Sequence, residues 1–338
     1  MKKILYSVFV LIFAIQTAFA SNIDVLPTMQ STSGLQDRVW VGTFQLVWND
    51  LMDKVVFGVV KFAEGTPQIA NELNTKEITT DDISEKSYYK YFGKITKNTK
   101  TIIEKAIKKK FDETSDILGK LNLNPNKESY IIYAMLKKDF KFVSAFDKLG
   151  RSNFRDKEAE FFGISRHSDS TLKNGVRVLF YNSPDDYAVM LETADKDEVY
   201  LYKTPNTKKF NLIYSDMNKK ELAYNGKTRM GKKDELKVPN LKFFEEKQFD
   251  ELANKRIKGT RFQIDKAIET VKFEMNNQGV KLKSEAAITM MTTSMPQKEI
   301  ETPRLFYFDD TFVMFLKEKG KSHPYFALRV YDISNYQD

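Results

Sequence analysis

The sequence contains no cysteine and only two histidines, His167 and His323, among its 338 residues. Without cysteine the chain cannot form disulfide bonds, so its stability must come from a large buried core. The two histidines lie in polar segments, RHSDS and GKSHPY, where a surface position is the simplest interpretation. Nucleophile-elbow, zinc-protease, P-loop and dinucleotide-binding motifs are also missing. The sequence therefore predicts that the protein is not an enzyme.

Clusters of metal-ligating residues are missing as well. The acidic pairs Asp81-Asp82 and Asp185-Asp186 lack the spacing of a calcium loop, and helix capping or turn formation explains both. The net charge is +8, and it falls to +6 when Lys2 and Lys3 are removed, which is mild for this length. We expect no metal site, no cofactor and no nucleic-acid partner.

Long apolar runs are missing after the N-terminus. Lys2 and Lys3 precede an apolar run that ends in Ala-Phe-Ala, the form that signal peptidases cut. The run is too short to span a hydrocarbon core of roughly 30 Å. We therefore expect residues 1–20 to be a signal peptide cleaved after Ala20. Residues 21–338 are then exported, extracellular or periplasmic, with no membrane span.

The rest of the chain changes character near residue 128. Residues 39–62 and 76–118 show apolar positions at steps of three and four, which predicts helices. Later segments are short, β-branched and aromatic, which predicts strands; they are SYIIYAM, VRVLFY, YAVMLET, EVYLYK, FNLIYS, ELKVPNLKFF, TVKFEM, PRLFYF, TFVMFLKE and YFALRVYDI. No composition break divides the chain. The sequence predicts one α+β domain with a helical N-terminal half, large mixed or antiparallel sheets and a C-terminal hairpin.

The stretch FEMNNQGVKLKSEAAITMMTTSMP, residues 273–296, begins as a strand and breaks at Asn276 to Gly279. An alternation then resumes without proline or glycine until Pro296. One face is apolar or small, and its members are Val280, Leu282, Ser284, Ala286, Ile288 and Met290. The segment 280–292 could therefore form an amphipathic strand within a sheet.

This region resembles one stretch of the serpins, in which a short I-x-x-A-[IV] turn leads to a central strand and a glycine-marked hinge. The matching residues are Ile264, Ala267, Ile268 and Gly279. The C-terminus is similar to the family's last two strands through Phe308, Asp309, Phe312, Val313, Leu316, Pro324, Phe326 and Val330. An upstream segment is similar through Pro239, Leu241, Phe243, Leu252 and Gly259. The resemblance is clearest over residues 236–332.

Several positions depart from the family pattern. Asn277 replaces the usual acidic residue two positions before the hinge glycine. Thr311 replaces a proline, and Leu328 replaces a glycine in the final strand. Glu269 stands where the family places a histidine of a hydrogen-bonded cluster, so that cluster would have to be rebuilt.

The resemblance implies a protease inhibitor that acts through a reactive centre loop, here residues 280–303. In that mechanism a serine or cysteine protease cuts the loop, and the freed segment inserts into a sheet as a new strand. The implied hinge residues are Gly279, Val280, Leu282, Ser284 and Ala286. Leu282 is bulkier than the alanine that is usual there, which would slow insertion.

The implied scissile bond joins Thr293 to Ser294, about fourteen residues after the hinge glycine. Its residue types suit a protease that accepts small or β-branched side chains. A monomer is expected if the protein is such an inhibitor. Two alternatives remain open at this point. One is a non-inhibitory, serpin-fold binding protein in which 280–292 is a fixed strand. The other is an envelope or structural protein with an unrelated α+β topology.

Overall fold

A computed structural model describes residues 22–125, 129–280 and 303–337. The described α-helices are α1 (Thr43–Leu51), α2 (Gln68–Leu73), α3 (Thr99–Phe111) and α4 (Phe210–Ala223). The strands are β1 (Asp24–Leu26), β2 (Arg38–Val41), β3 (Tyr88–Lys94), β4 (Tyr130–Leu136), β5 (Phe140–Lys141), β6 (Asp147–Phe154), β7 (Lys157–Ile164), β8 (Val176–Ser183), β9 (Asp186–Glu192), β10 (Asp197–Lys203), β11 (Glu235–Pro239), β12 (Leu241–Gln248), β13 (Ile268–Asn276), β14 (Gly279–Val280), β15 (Leu305–Tyr307), β16 (Phe312–Glu318) and β17 (Phe326–Val330).

The largest sheet has seven strands in the order β1-β2-β17-β16-β10-β9-β8. The predicted C-terminal hairpin, β16 and β17, lies near its centre, and its alternating apolar residues are buried as expected. The residues between them are buried too, including Val313, Phe315 and Ala327. Both faces of this sheet are therefore covered, which explains why its strands read as nearly continuous apolar runs.

Two smaller sheets have four strands each, β15-β11-β7-β6 and β12-β13-β14-β5, and β3 pairs with β4 in a two-stranded sheet. Most pairs are antiparallel, but β11 and β15 are parallel, as are β1 and β2. The predicted α+β architecture with mixed and antiparallel sheets is confirmed.

Three local predictions were wrong. Residues 39–62 were expected to be helical, but the first of them belong to strand β2. The segment FNLIYS, expected to be a strand, begins helix α4, in which Phe210, Ile213 and Met217 are the buried residues. Their spacing of three and four has the helical period, and it outweighs the local β-branched and aromatic character. Conversely, Tyr88–Lys94 lies in a region expected to be helical and forms a strand paired along its whole length with β4.

The acidic pair at Asp82 has the capping role expected from the sequence. The Asp82 carboxylate accepts a hydrogen bond from the Thr79 backbone at 3.0 Å, which closes a capping box. Asp82 also contacts His323, with 3.0 Å between its Oδ1 and the histidine Nδ1. Within the described ranges, no group of three or more acidic or histidine side chains could hold a metal ion.

The predicted signal peptide, residues 1–20, lies outside the described residues. Within the part of the chain that is described, no helix is both long enough and apolar enough to cross a membrane.

Candidate functional site: a cleft between two strands

A tight turn joins β13 to β14. Asn276 pairs with Gly279 across Asn277 and Gln278, so the chain reverses within two residues. The turn is tied to the segment that follows β5: the Phe146 backbone N–H donates to the Asn277 carbonyl at 2.9 Å, and the Asn277 side-chain amide donates to the Phe146 carbonyl at 3.0 Å. A carboxylate could not make the second bond, because it has no N–H to donate. Asn277 therefore suits this position, where an acidic residue was the expectation.

Gly279 is required where it stands. Its φ is +151°, and a Cβ there would come within 2.7 Å of the Lys141 Cα in β5. No other residue fits this close approach without moving a backbone. The glycine that the resemblance assigns to the hinge therefore lies at a close contact between β14 and β5.

The short strand β14 lies between two others. It pairs with β13 through Met275 and Asn276, and with β5 through Phe140 and Lys141. Since both pairings are antiparallel, β13 and β5 run parallel to each other with β14 between them. β14 is thus an inner strand of this sheet, with a neighbour on each side.

Beyond Val280 the two neighbouring strands are no longer bridged by the described residues. β4, which leads into β5, pairs with β3 along one edge, and β13 pairs with β12. In the described ranges their other edges, over 130–136 and 268–274, have no strand partner. A cleft of about 1630 Å³ lies between them, and α1 lines it with Phe44, Val47 and Trp48.

One ionisable side chain in this cleft lies on a buried strand face among apolar residues. Glu269 lies on the buried face of β13 with Val271, Phe273 and Met275, and it is 4% exposed. Neither carboxylate oxygen has a hydrogen-bond partner among the described residues. Burial raises the pKa of Glu269 to about 8, although the backbone N–H of Phe44 lies near enough to lower this pKa in part. The carboxyl is thus mainly neutral at pH 7.

The sequence pattern itself indicates that Glu269 is buried. Its alternation with Val271, Phe273 and Met275 places it on the core face of the strand. The family resemblance pointed to the same position, since a histidine is usual there. Glutamate stands in place of that histidine here. No described residue forms a hydrogen bond with its carboxyl group.

The opposite end of the segment that follows β14 is anchored in a different sheet. Arg304, just before β15, donates through Nε and Nη2 to the buried Asp234 carboxylate at 3.0 and 2.7 Å. It also donates to the carbonyls of Lys227 and Arg229, both at 2.7 Å. This charge-assisted, forked arrangement fixes where the chain enters β15.

The remaining predicted site residues are not all described. Gly279 and Val280 form β14, and both are buried. Leu282, Ser284, Ala286, Thr293 and Ser294 lie outside the described residues. The hinge and the cleft therefore define the site.

The chain was compared with known proteins. No protein-family model matches it, and no curated protein matches it in sequence. A solved structure of a highly specific serpin from the insect Tenebrio molitor shares 12% identity at a TM-score of 0.41, over 74% of this chain and 78% of that one.

Two structures of thyroxine-binding globulin with thyroxine also match. One shares 10% identity at a TM-score of 0.44, over 75% of this chain and 78% of that chain. The other, of the human protein, has the same identity and TM-score over 77% and 78%. Such identities concern the fold alone, so the site is interpreted from its own geometry. The chain is similar to these serpin structures, and its described helices and sheets have the α+β class that the sequence predicts.

Proposed function

We propose that this protein is an exported, monomeric protease inhibitor in which residues 280–303 form a reactive centre loop. A protease cuts this loop, and the segment after Val280 enters the cleft as a strand between β4 and β13. The observation that carries the proposal is the arrangement of β14. It is two residues long, lies between β13 and β5, and points toward a cleft whose two bordering strand edges have no strand partner among the described residues.

The register of β14 supports this proposal. Met275 pairs with Val280 and Asn276 with Gly279, so each step along the loop pairs with one step back along β13. Continued without a bulge, this register sets Ala286 opposite Glu269. Cross-strand partners share a face, so the even-numbered loop residues from Val280 to Met290 would turn inward. That is the apolar or small set of the sequence alternation.

The two strand edges that border the cleft would supply the driving force. Buried N–H and C=O groups that gain partners each contribute about 0.5–1.5 kcal/mol. An inserted strand of about a dozen residues would complete a ladder on each side. This free energy is available only after the loop is cut, because Arg304 anchors its far end beside Asp234 in another sheet.

In the proposed trap, the protease serine oxygen attacks the carbonyl carbon of Thr293. The bond to Ser294 breaks, the amine of Ser294 leaves with a proton, and residue 293 remains esterified to the protease. Insertion then carries the attached protease away before water hydrolyses the ester. The bulk of Leu282 would slow insertion. Water would then hydrolyse the ester before the segment inserts, and the protease would be released.

Thr293→Arg tests the scissile bond and the trap together. We expect this variant to form a covalent complex with trypsin that survives denaturing electrophoresis, whereas the wild-type protein forms none because Thr293 is not a trypsin site. Lys298→Gln in both proteins removes a competing trypsin site. Trypsin with a blocked active-site serine should give no complex. A variant that is cut after position 293 and never retains the enzyme would refute inhibition.

A further inference from the structure

The cleft has a second property that strand insertion does not use. The Glu269 carboxyl is a buried ionisable group with neither oxygen bonded to any described residue. A buried polar group without a partner costs about 1–3 kcal/mol, and more when it is charged. A ligand that supplied the missing partner would recover part of that cost.

Charged groups on the neighbouring elements are already engaged elsewhere. Lys247, which pairs with Glu269 across the β12–β13 ladder, binds Asp24 at 3.1 Å. Asp50 of α1 is bonded to Lys54 and Lys90 at 2.9 and 2.7 Å. No described charged group adds a Coulombic contribution to the pKa of Glu269. The carboxyl is therefore free of competing ion pairs.

Two titratable side chains on the strands that border the cleft have other partners. On β4, the Tyr133 hydroxyl donates to Ser115 at 3.4 Å, and burial raises the pKa of Tyr133, so it stays neutral. On β13 itself, Glu274 accepts a hydrogen bond from Asn276 at 3.1 Å. Glu274 lies on the strand face opposite that of Glu269.

Aromatic side chains line part of the cleft. The rings of Phe92 and Tyr130 stack at 5.9 Å, and Tyr130 meets Phe262 edge-on at 5.4 Å. Phe57, held at a positive φ after α1, is 82% exposed and also lines the cleft. Exposed aromatic surface around a concave apolar site is typical of a place that binds a ligand.

We propose that the cleft of the intact protein binds an amphipathic amine, with Glu269 receiving its ammonium group and the aromatic side chains covering its apolar body. Glu269 itself lines the cleft, which places its carboxyl beside the space that the ligand would fill. A cation fits better than a second acid or a neutral alcohol. Only a cation provides both hydrogen bonds and the countercharge that a buried carboxylate needs. This amine site requires only the cleft of the uncut protein. It does not require that a strand inserts there after cleavage.

Binding should release a proton. The empty carboxyl is mainly protonated at pH 7, and it must ionise to pair with an ammonium group. An alkylamine stays charged up to pH 9, as a lysine does. Affinity should therefore rise roughly tenfold per pH unit below the pKa of Glu269 and level off above it.

Titration calorimetry of the uncut protein with n-octylamine, n-octanol and n-octanoate tests this site, with all three probes kept below micelle-forming concentrations. We expect octylamine to bind at least tenfold more tightly than octanol, and octanoate to bind least. In Glu269→Gln the preference for the amine over the alcohol should disappear while octanol still binds. Glu274→Gln, the matched control on the opposite strand face, should keep the preference.

Equal affinity for amine and alcohol in the wild-type protein would overturn the proposal, as would an amine preference that survives in Glu269→Gln. Amine affinity that does not change between pH 6 and pH 8 would also contradict it. The uncut protein is used throughout, so failure of protease trapping leaves this result interpretable.

Discussion

Replacing Glu269 by glutamine will stabilise the protein by about 3 kcal/mol at pH 7 and by up to about 5 kcal/mol above pH 8. The glutamic acid is ionised in the unfolded chain above its ordinary pKa of about 4.5 and stays protonated in the fold up to pH 8. Below pH 4.5 the acid is protonated in both states, so its ionisation costs the fold no stability. As the pH rises from 4.5 toward 8, the wild-type protein becomes progressively less stable than the glutamine variant. Glutamine has nearly the same shape and cannot ionise.

Denaturant unfolding of both proteins at pH 4, 7 and 8.5 measures this difference. The two should have nearly equal stability at pH 4, and the gap should widen with pH. Glu274→Gln should differ from wild type by less than about 0.5 kcal/mol at every pH, as surface substitutions usually do. A gap for Glu269→Gln that is the same at pH 4 and pH 8.5 would mean that ionisation is not its source.

The second large effect concerns the loop. Ala286→Asp should abolish trapping, while Ala287→Asp, one residue along, should leave it nearly intact. In the proposed register residue 286 faces inward opposite Glu269, so aspartate there would bury a charge beside another acid. Residue 287 faces outward, where aspartate stays hydrated.

Both substitutions are best made in the Thr293→Arg background and tested with trypsin. We expect the covalent complex to fall at least tenfold for Ala286→Asp, with the loop cut and the enzyme released. Ala287→Asp should give complex within about twofold of its parent. Equal losses in both variants would show that the alternation does not determine insertion.

The strand content could largely be predicted from the sequence, because β-branched and aromatic residues recur there between turn residues. The hairpin of β16 and β17 was predicted, although the burial of Val313 and Phe315 was not. Covering a face of the sheet requires elements distant in sequence, such as α4, whose Phe210 and Tyr214 pack on Phe315.

Other features depended on tertiary context. Tyr88–Lys94 becomes a strand because β4 is available to pair with it, and no local pattern indicates that partner. The alternation 280–292 and the glycine before it could be predicted as a spare strand. The cleft could not be predicted from the sequence. It forms where β4 and β13 separate, and that separation is a property of the packed molecule.

Thermal unfolding before and after a single cut tests the central claim most directly. A protease that cuts once between residues 290 and 303 leaves the segment from residue 281 to the cut attached to β14. If that segment enters the cleft, about a dozen new backbone hydrogen bonds add on the order of 10 kcal/mol, and the melting temperature rises by about 10 °C or more. A cut protein that melts at or below the temperature of the intact protein would contradict insertion into the cleft.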